Sequence, residues 1–257
     1  MKKIIVIAGT ADARKLIMEL EKQGYPIIAT VATGFGHELL KDSEGVTVRE
    51  GRRKKEEFLT LIKETEAFCL VDASHPYAAE VSKTAMEACC SAGIPYIRYE
   101  RRASELEQEL IAVKDFEEAV QRLEDLEGNI LLTIGSNNLG YFTKLRDYKN
   151  RLFVRVLPDS KVLIKCEELG FSASNIFAAK GPFSLEMNIA MIKHCNASVL
   201  VTKDSGKEGG VEEKGMAAAQ LGIPLMVIAR PDITYSKLCH SMEETLGCVI
   251  QLSSGNK

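Results

Sequence analysis

Short apolar runs alternate with amphipathic stretches along the first part of the chain. The apolar runs predict buried parallel strands at Lys3–Ala8, Ile27–Val31, Val46–Arg49, Phe68–Asp72 and Tyr96–Tyr99. Apolar positions at helical spacing predict helices at Ala11–Gln23, Lys54–Glu64 and Ala78–Ala92. Strands that alternate with helices indicate an α/β fold with parallel sheets and right-handed crossovers.

A second series of the same kind follows in the rest of the chain. Its predicted strands are Ile130–Ile134, Leu152–Leu157, Asn175–Ala178, Val199–Thr202 and Leu225–Ala229. Its predicted helices are Asp159–Leu169, Ser184–His194 and Val211–Leu221. The α/β pattern therefore runs through the chain twice.

Two short passages indicate that the second series repeats the first. Gly93-Ile94-Pro95 precedes a strand that closes with Arg101, and Gly222-Ile223-Pro224 precedes a strand that closes with Arg230. The distance from Gly to Arg is eight residues in both passages (101 − 93 and 230 − 222). Because these matches recur in the same order, we predict two similar doubly wound, Rossmann-like domains with parallel sheets and an interdomain cleft.

The boundary between the two domains is predicted near Gly128. Residues 1–127 would form the N-terminal Rossmann-like domain and residues 128–257 the C-terminal one. The charged stretch Arg101–Lys114 and the helix after it would be the connection between them.

Composition narrows the class of protein. The chain has 257 residues, of which 46% are hydrophobic, and a net charge of −3. It can therefore form real cores, and it lacks the basic surplus that is typical of a general nucleic-acid binder. No apolar run approaches the ~18–20 residues of a membrane span. The first apolar run ends at Gly9 and leads into an amphipathic segment, which favours a strand over a secretory signal.

The seven cysteines form no CxxC pair and no cluster with zinc-site spacing. An odd number of cysteines without a disulfide framework is typical of a reducing compartment. We therefore predict a cytoplasmic protein, a monomer or small homo-oligomer, without a metal site and without nucleic-acid or membrane partners.

In doubly wound sheets, ligands bind beyond the carboxyl ends of the strands, so the loops there carry the candidate chemistry. The first such loop, Gly9-Thr10-Ala11-Asp12, opens a helix whose N-terminus can receive a phosphate. It lacks the GxGxxG motif of dinucleotide-binding folds. The alternative to a phosphate-binding loop is a tight strand–helix turn without a ligand. Arg52 and Arg53 follow the third strand and can serve a 2′-phosphate or simply begin a solvated helix. If the ligand of this loop is a nicotinamide dinucleotide, the sequence therefore leaves open whether it is NADH or NADPH.

The second loop is Asp72-Ala73-Ser74-His75-Pro76-Tyr77. Pro76 is suited to the first position of the helix that follows. His75 and Tyr77 would then lie at the ligand edge, where His75 can donate a proton or a hydrogen bond. The alternative is a helix cap by Ser74 beside a structural histidine.

Two further loops belong to the second series. One is Lys180-Gly181-Pro182, and the other is the run 202–210, which combines three glycines with Lys203, Asp204 and Ser205. The glycine-rich run can present backbone N–H groups to an anion, or it can be a solvated flexible loop. No catalytic triad or pair of catalytic carboxylates stands out. Such a site suits hydride transfer, in which the cofactor carries the chemistry.

Seven segments, taken together, carry a resemblance to a known family. They are Ile7–Arg14, Val71–Ala78, Pro95–Arg101, Thr133–Ser136, Arg155–Pro158, Lys180–Ser184, and Val201–Gly206 with Gly209-Gly210. In this order they resemble the precorrin-6A reductases of cobalamin biosynthesis, a family that includes the cobalt-precorrin-6A reductases. The family pattern usually has Thr and Phe where this chain has Ser74 and Tyr77.

The resemblance implies a two-domain Rossmann-like oxidoreductase with NADPH or NADH between the domains. Hydride would go to a carbon of a large, carboxylate-rich tetrapyrrole, (cobalt-)precorrin-6A, and a proton to the neighbouring carbon, which gives (cobalt-)precorrin-6B. Whether the substrate already holds cobalt stays open. The alternatives are a two-lobed small-molecule binding protein or an NAD(P)H redox sensor without turnover.

We predict three roles for the loop residues: proton donation, cofactor binding and substrate binding. The proton donor is predicted to be Tyr77, Lys203 or water. The residues assigned to the cofactor are Gly9, Thr10, Ala11, Asp12, Ser74, His75, Pro76, Gly135, Ser136, Lys180, Gly181 and Pro182. The residues assigned to the substrate are Arg98, Asp204, Ser205, Gly206, Gly209 and Gly210.

Overall fold

The computed structural model describes residues 2–32, 45–101, 110–205 and 209–254. Its first sheet has six parallel strands in the order β12-β5-β4-β1-β2-β3. The strands are β1 (Lys3–Ile7), β2 (Ile27–Val31), β3 (Val46–Glu50), β4 (Ala67–Asp72), β5 (Tyr96–Tyr99) and β12 (Leu238–Cys239). The predicted strands of the first series are therefore all present, close to their predicted bounds.

The second sheet also has six parallel strands, in the order β6-β11-β10-β7-β8-β9. They are β6 (Leu110–Val113), β7 (Asn129–Leu132), β8 (Leu152–Val156), β9 (Ile176–Ala178), β10 (Ala197–Lys203) and β11 (Leu225–Ile228). The first five strands of each series therefore occupy the same relative places, as the sequence repeat predicts. The fold class, α/β with two parallel doubly wound sheets, is confirmed.

The sixth strand of each series is exchanged. Strand β6 follows β5 in the chain but pairs with β11 of the second sheet, and β12 follows β11 but pairs with β5 of the first sheet. The chain accordingly divides into two compact units. Unit 1 contains Met1–Arg102 and Asp232–Lys257, and unit 2 contains Ala103–Pro231.

This division differs from the predicted boundary near Gly128. Residues 103–127, which were predicted to belong to the first domain, belong to unit 2, and residues 232–257 belong to unit 1. The physical reason is the strand exchange, which gives each unit a strand and the helix that follows it from the other half of the chain. Neither β6 nor β12 was predicted from the sequence.

The helices lie between the strands and begin at polar caps. Thr10, Asp115, Asp159 and Ser184 each accept a hydrogen bond from a backbone N–H of the first turn of a helix, which satisfies a donor that has no partner within the helix. The helices are α1 (Ala11–Lys22), α2 (Lys55–Thr65), α3 (Ala79–Ala92), α4 (Phe116–Glu124), α5 (Leu139–Phe142), α6 (Tyr148–Arg151), α7 (Ser160–Glu168), α8 (Leu185–His194), α9 (Val211–Gln220) and α10 (Met242–Ser254), with a short 3-10 turn at Ala173–Asn175. None that the structure describes is long and apolar enough to cross a membrane.

Strand β1 shows why the apolar runs are continuous rather than alternating. Ile4 and Val6 pack on one face of the sheet in a core that includes residues of α1 and α10, while Ile5 and Ile7 pack on the other face against α2 and α3. A strand of a parallel sheet that is covered on both faces is apolar on both faces, so its apolar positions form a continuous run. The core of unit 1 therefore lies on both sides of its sheet.

The last helix, α10, is predicted to be part of the core of unit 1. Val249→Ala should lower the free energy of unfolding by about 2 kcal/mol, because Val249 is 0% exposed in the core that contains β1 and α1. The control is Ile250→Ala at the adjacent position, which is 43% exposed and should change stability by less than about 0.5 kcal/mol. Urea unfolding measures both, and equal effects would contradict the packing of α10 on unit 1.

Candidate functional site

The loop after β1 is hydrogen-bonded to the loop after β4. Ile7 and Asp72 are partners at the carboxyl ends of these adjacent strands. The Thr10 hydroxyl donates a hydrogen bond to the Ala73 carbonyl at 3.1 Å and accepts one from the Ala13 N–H at 3.0 Å, which caps α1. The two loops of the first series that are predicted to bind the cofactor therefore lie side by side in unit 1.

Gly9 has a backbone conformation that only glycine adopts without strain. Its φ is +136°, and no atom of the rest of the protein lies within 4 Å of the place where a side chain would begin. A ligand can therefore approach the backbone closely at this turn. Such close approach is what a bound pyrophosphate requires at the first strand–helix turn of a dinucleotide-binding fold.

The start of α1 also suits a phosphate. The first N–H groups of a helix have no partner within it and carry its positive dipole end, and here they belong to Ala11 and Asp12. The Asp12 carboxylate would oppose a phosphate, but it is paired with the Arg101 guanidinium at 2.6 Å. This unit therefore fits the phosphate groups of a nicotinamide dinucleotide at Gly9–Asp12.

The loop after β4 differs from the prediction in one respect. Pro76 does not begin the helix, because α3 starts at Ala79. Instead, the Ala78 N–H donates to the His75 carbonyl at 2.8 Å, which makes residues 75–78 a β-turn with Pro76 at its second position. Proline favours that position because its φ is fixed at the value the turn needs.

The turn places His75 and Tyr77 near each other at the edge of unit 1. The Tyr77 N–H donates to Nδ1 of His75 at 3.3 Å, and the two ring centroids are 5.7 Å apart. His75 is exposed and Tyr77 is half-buried. Both side chains therefore lie where a ligand can reach them. Ser74 does not cap α3.

A buried carboxylate holds this loop in place. The side-chain oxygens of Asp72 accept four hydrogen bonds, from the Ser74 N–H at 2.9 Å, Arg98 at 3.0 Å, the Ser82 hydroxyl at 2.6 Å and the Tyr96 hydroxyl at 2.7 Å. Burial, followed by the charge of Asp72, raises the pKa of Tyr96, so its hydroxyl stays protonated and donates. The donors come from β5, α3 and the loop itself, which fixes the start of the loop against the sheet.

Arg98 was assigned to the substrate, but its side chain is 0% exposed. Its guanidinium donates to Asp72, to the Ser74 hydroxyl at 3.1 Å and twice to one Glu100 oxygen at 2.7 and 3.0 Å, and it lies over the Tyr235 ring. Burial opposes the positive charge, but the Asp72 and Glu100 carboxylates outweigh it and raise the pKa of Arg98. Arg98 therefore positions the loop rather than presenting a cation at its surface.

In unit 2, the loops after β7 and β9 carry the other residues assigned to the cofactor. Gly135, with φ +75°, and Ser136 follow β7. Lys180, Gly181 and Pro182 follow β9, with Lys180 exposed and the Gly181–Pro182 peptide bond in the cis form. Because all strands of this sheet are parallel, these loops share one edge of unit 2 with the end of β10.

The end of β10 carries the residues assigned to substrate and proton transfer. Lys203 is half-buried, and burial lowers its pKa from 10.5 to about 8. The backbone carbonyl of Asp204 accepts a hydrogen bond from Arg230 at 3.0 Å. A side chain at Gly209 would collide with Ser205, and Gly210, with φ +64°, is the N-cap of α9. Gly206 lies outside the described residues.

The assigned residues thus fall into two groups, one at the carboxyl edge of each sheet. The residues that hold the first group, Glu100, Tyr96 and Tyr235, were not predicted from the sequence. Glu100 and Tyr96 had a signal, since both flank Arg98 on or beside a predicted buried strand. Tyr235 had none, because it belongs to the exchanged C-terminal segment, where its ring stacks on Tyr96 with centroids 6.4 Å apart.

The fold and the two strand-edge groups define a protein built from a pair of Rossmann-like units. The same fold occurs in a solved structure described as CobK precorrin-6A reductase, with a TM-score of 0.78, 22% identity and coverage of 98% of this chain and 97% of that one. The family model described as Precorrin-6x reductase CbiJ/CobK matches residues 3–249. The chain therefore belongs to the precorrin-6x reductase CbiJ/CobK family.

Curated relatives agree with this assignment. A cobalt-precorrin-6A reductase of Priestia megaterium is 40% identical over 250 residues, covering 96% of this chain and 98% of the relative. One of Salmonella typhimurium is 38% identical over 231 residues, covering 89% and 87%. The predicted family, the function of a precorrin-6A reductase in cobalamin biosynthesis and the enzyme class, a reductase, are confirmed.

Arg98 is predicted to be essential for the stability of unit 1. Arg98→Met leaves the Asp72 carboxylate buried without its cation and should cost about 3–5 kcal/mol in the free energy of unfolding. Arg122→Met removes an exposed arginine that pairs with Glu118 at 3.5 Å, and it should cost less than about 1 kcal/mol. Urea unfolding of both variants checks this. A small loss for Arg98→Met would contradict the role of the buried pair.

Proposed function

We propose that this reductase binds NADPH or NADH through unit 1 and reduces the cobalt-containing form of its substrate, cobalt-precorrin-6A. The observation that carries the cofactor proposal is the turn at Gly9, which is open to a ligand and leads into the start of α1. The cobalt form is favoured because relatives at 40% and 38% identity carry that name, whereas a relative named precorrin-6A reductase is 25% identical.

The residues that would hold the cofactor belong to the two joined loops of unit 1. The backbone at Gly9 and the N–H groups of Ala11 and Asp12 suit the pyrophosphate. Ser74, His75 and Pro76 lie on the neighbouring loop, where the buried Asp72 fixes their position. When bound, the reduced nicotinamide supplies the hydride. We propose Gly135, Ser136, Lys180, Gly181 and Pro182 of unit 2 as further contacts to the cofactor.

The proposed reaction adds a hydride to one macrocycle carbon and a proton to its neighbour. Lys203 is our first candidate for the proton donor, because with its pKa lowered to about 8 it is still mostly protonated near neutral pH and is a stronger acid than an ordinary lysine. Tyr77 is the second candidate, because it is half-buried at the edge of unit 1. Asp204, Ser205, Gly206, Gly209 and Gly210 are proposed to contact the tetrapyrrole.

The seven free cysteines are compatible with a reducing compartment, and we propose that the reaction takes place in the cytoplasm.

An anaerobic assay tests the reaction itself. The purified protein is mixed with NADPH or NADH and with precorrin-6A, with and without cobalt. Consumption of one nucleotide per macrocycle reduced, faster with the cobalt form, supports the proposal. Binding without nucleotide consumption would support a binding protein or redox sensor instead.

Gly9→Ala is predicted to weaken NADPH binding about tenfold or more, because any side chain at φ +136° strains the turn that faces the phosphate. Gly93→Ala is the matched control. Gly93 also has a positive φ, +68°, and open space around it, but it closes α3 at the opposite end of the strands. Fluorescence titration with NADPH measures both. Equal weakening in the two variants would point to general destabilisation and contradict the site.

Replacing Lys203 with Met and Tyr77 with Phe together is predicted to lower turnover about tenfold or more, because the carbon next to the hydride acceptor loses its acid. If Lys203 is the donor, turnover of the wild type should fall as the pH rises through about 8, since the ammonium loses its proton there. Lys203→Met should abolish that step in the pH profile. Unchanged turnover in the double variant would leave water as the proton donor.

A further inference from the structure

Two of the seven cysteines lie in direct contact in the C-terminal segment of unit 1. The Sγ atoms of Cys239, on β12, and Cys248, in α10, are 3.7 Å apart, a distance at which no other atom fits between them. Cys239 is 0% exposed, whereas Cys248 is half-buried, so Cys248 is the member of the pair nearer to solvent. A disulfide requires the two sulfurs to approach to about 2.05 Å, which is a small further movement.

The turn between the two cysteines holds them together. The His240 N–H donates to the Glu244 carboxylate at 2.8 Å, and the Glu244 N–H donates to the Ser241 hydroxyl at 3.1 Å. These hydrogen bonds fix the start of α10 relative to the end of β12. The two sulfurs therefore meet in a defined turn, in residues that are nine positions apart in the chain.

Both elements that carry the pair are attached to the rest of unit 1. The Cys239 carbonyl accepts a hydrogen bond from the Glu100 N–H at 2.9 Å, and the Lys237 carbonyl accepts one from the Arg98 N–H at 2.8 Å. Helix α10 packs through Val249 in the core that contains β1 and α1. Strand β12 has only two residues, whereas α10 has thirteen. A covalent link between them would therefore tie a short edge strand to a well-packed helix.

The acidity of the buried thiol decides which sulfur reacts first. Burial, followed by the contact with Cys248 and the charge of Glu244, raises the pKa of Cys239 to about 12. Cys239 therefore keeps its proton at neutral pH. Because the thiolate is the form that attacks a disulfide, Cys248 is the attacking thiol and Cys239 the one that reacts second.

We propose that Cys239 and Cys248 form a reversible disulfide that fixes β12 to α10 when the protein meets a small disulfide oxidant. In the first step, the Cys248 thiolate attacks one sulfur of the oxidant, the sulfur–sulfur bond of the oxidant breaks, and one small thiolate leaves. In the second step, Cys239 attacks the Cys248 sulfur of this mixed disulfide and releases the second small thiolate. The two cysteines lose two electrons and two protons, and the oxidant takes up both and becomes two thiols.

The contact between the sulfurs favours the second step. Two of the causes that raise the pKa of Cys239 are its hydrogen bond and its charge interaction with Cys248, and both disappear when Cys248 is bonded to the oxidant. The step is also intramolecular, because the turn already holds the two sulfurs together. In a reducing compartment such a disulfide is transient and responds to the redox state. The proposal goes beyond the proposed function and depends on neither the cofactor nor the substrate.

Peptide mapping tests the disulfide directly. The full-length protein is reduced, freed of reductant, incubated with oxidised glutathione and then alkylated without reduction. Trypsin cleaves after Lys237, so both cysteines lie in the peptide Leu238–Lys257. We expect this peptide to lose two hydrogen atoms and to gain neither glutathione nor an alkyl group. Treatment with dithiothreitol should restore both thiols.

Variants at the two positions test the order of the steps. Cys239→Ala should leave glutathione on Cys248, because the attacking thiol is present and the second thiol is gone. Cys248→Ser should leave Cys239 unmodified, because that side chain is 0% exposed. The matched control is Cys90→Ser, which removes an exposed cysteine of α3 and should leave the disulfide unchanged.

The experiment on the wild type decides the proposal even if Cys239→Ala, a change in the core, does not fold. The proposal is overturned if the peptide from the folded wild type stays fully reduced or carries only glutathione. It is also overturned if the disulfide appears only after urea has unfolded the protein, or if Cys90→Ser loses it as Cys248→Ser does.

Hydrogen exchange measures the effect of the disulfide on unit 1. Arg98 and Glu100, which hold the loop after β4, donate their backbone N–H groups to the segment that contains β12. When β12 is tied to α10, this pairing opens only if α10 also moves, so oxidation should slow exchange of these two amides about tenfold or more. Cys248→Ser, treated in the same way, should show no slowing. Equal exchange in the oxidised and reduced wild type would overturn the fixing of β12.

Discussion

The structure depends on one constraint. When helices cover both faces of a parallel sheet, the loops lie at the two ends of its strands. Strand β1 begins at the exposed Lys3 and is apolar and buried at its other four positions, Ile4, Ile5, Val6 and Ile7. Most of the polar and glycine residues that a ligand can reach therefore lie beyond the strand ends. This is why a reductase with few obvious catalytic side chains still has two concentrated groups of chemically useful residues, one in each unit.

The two units use buried charge in opposite ways. In unit 1, Asp72 and Arg98 neutralise each other, and the hydrogen bonds around them lock the loop that carries Ser74 and His75. In unit 2, Arg155 and Lys214 are buried with neutral partners. The first arrangement gives rigidity to a proposed cofactor loop, and the second holds two cations by hydrogen bonds to neutral groups.

The sequence predicted most of the fold because its signals were local. Apolar runs and helical spacing identified ten of the strands, and the two Gly-Ile-Pro passages identified the repeat. The exchange of β6 and β12 was missed because these strands have only four and two residues, and their pairing depends on residues far away in the chain. The burial of Lys214 was missed for a related reason. A lysine in a helix is ordinarily solvated, and only the packing of α9 withdraws it.

The exchanged strands have a consequence for synthesis of the protein in the cell. The sheet of unit 1 is complete only when Cys239 pairs with Tyr99, and these residues are separated by the whole of unit 2. On the ribosome, the β5 edge of the N-terminal half therefore stays uncovered until the segment that contains β12 has been synthesised. Unit 2 has β6 and all its later strands in one continuous stretch, so its sheet can be completed before that of unit 1.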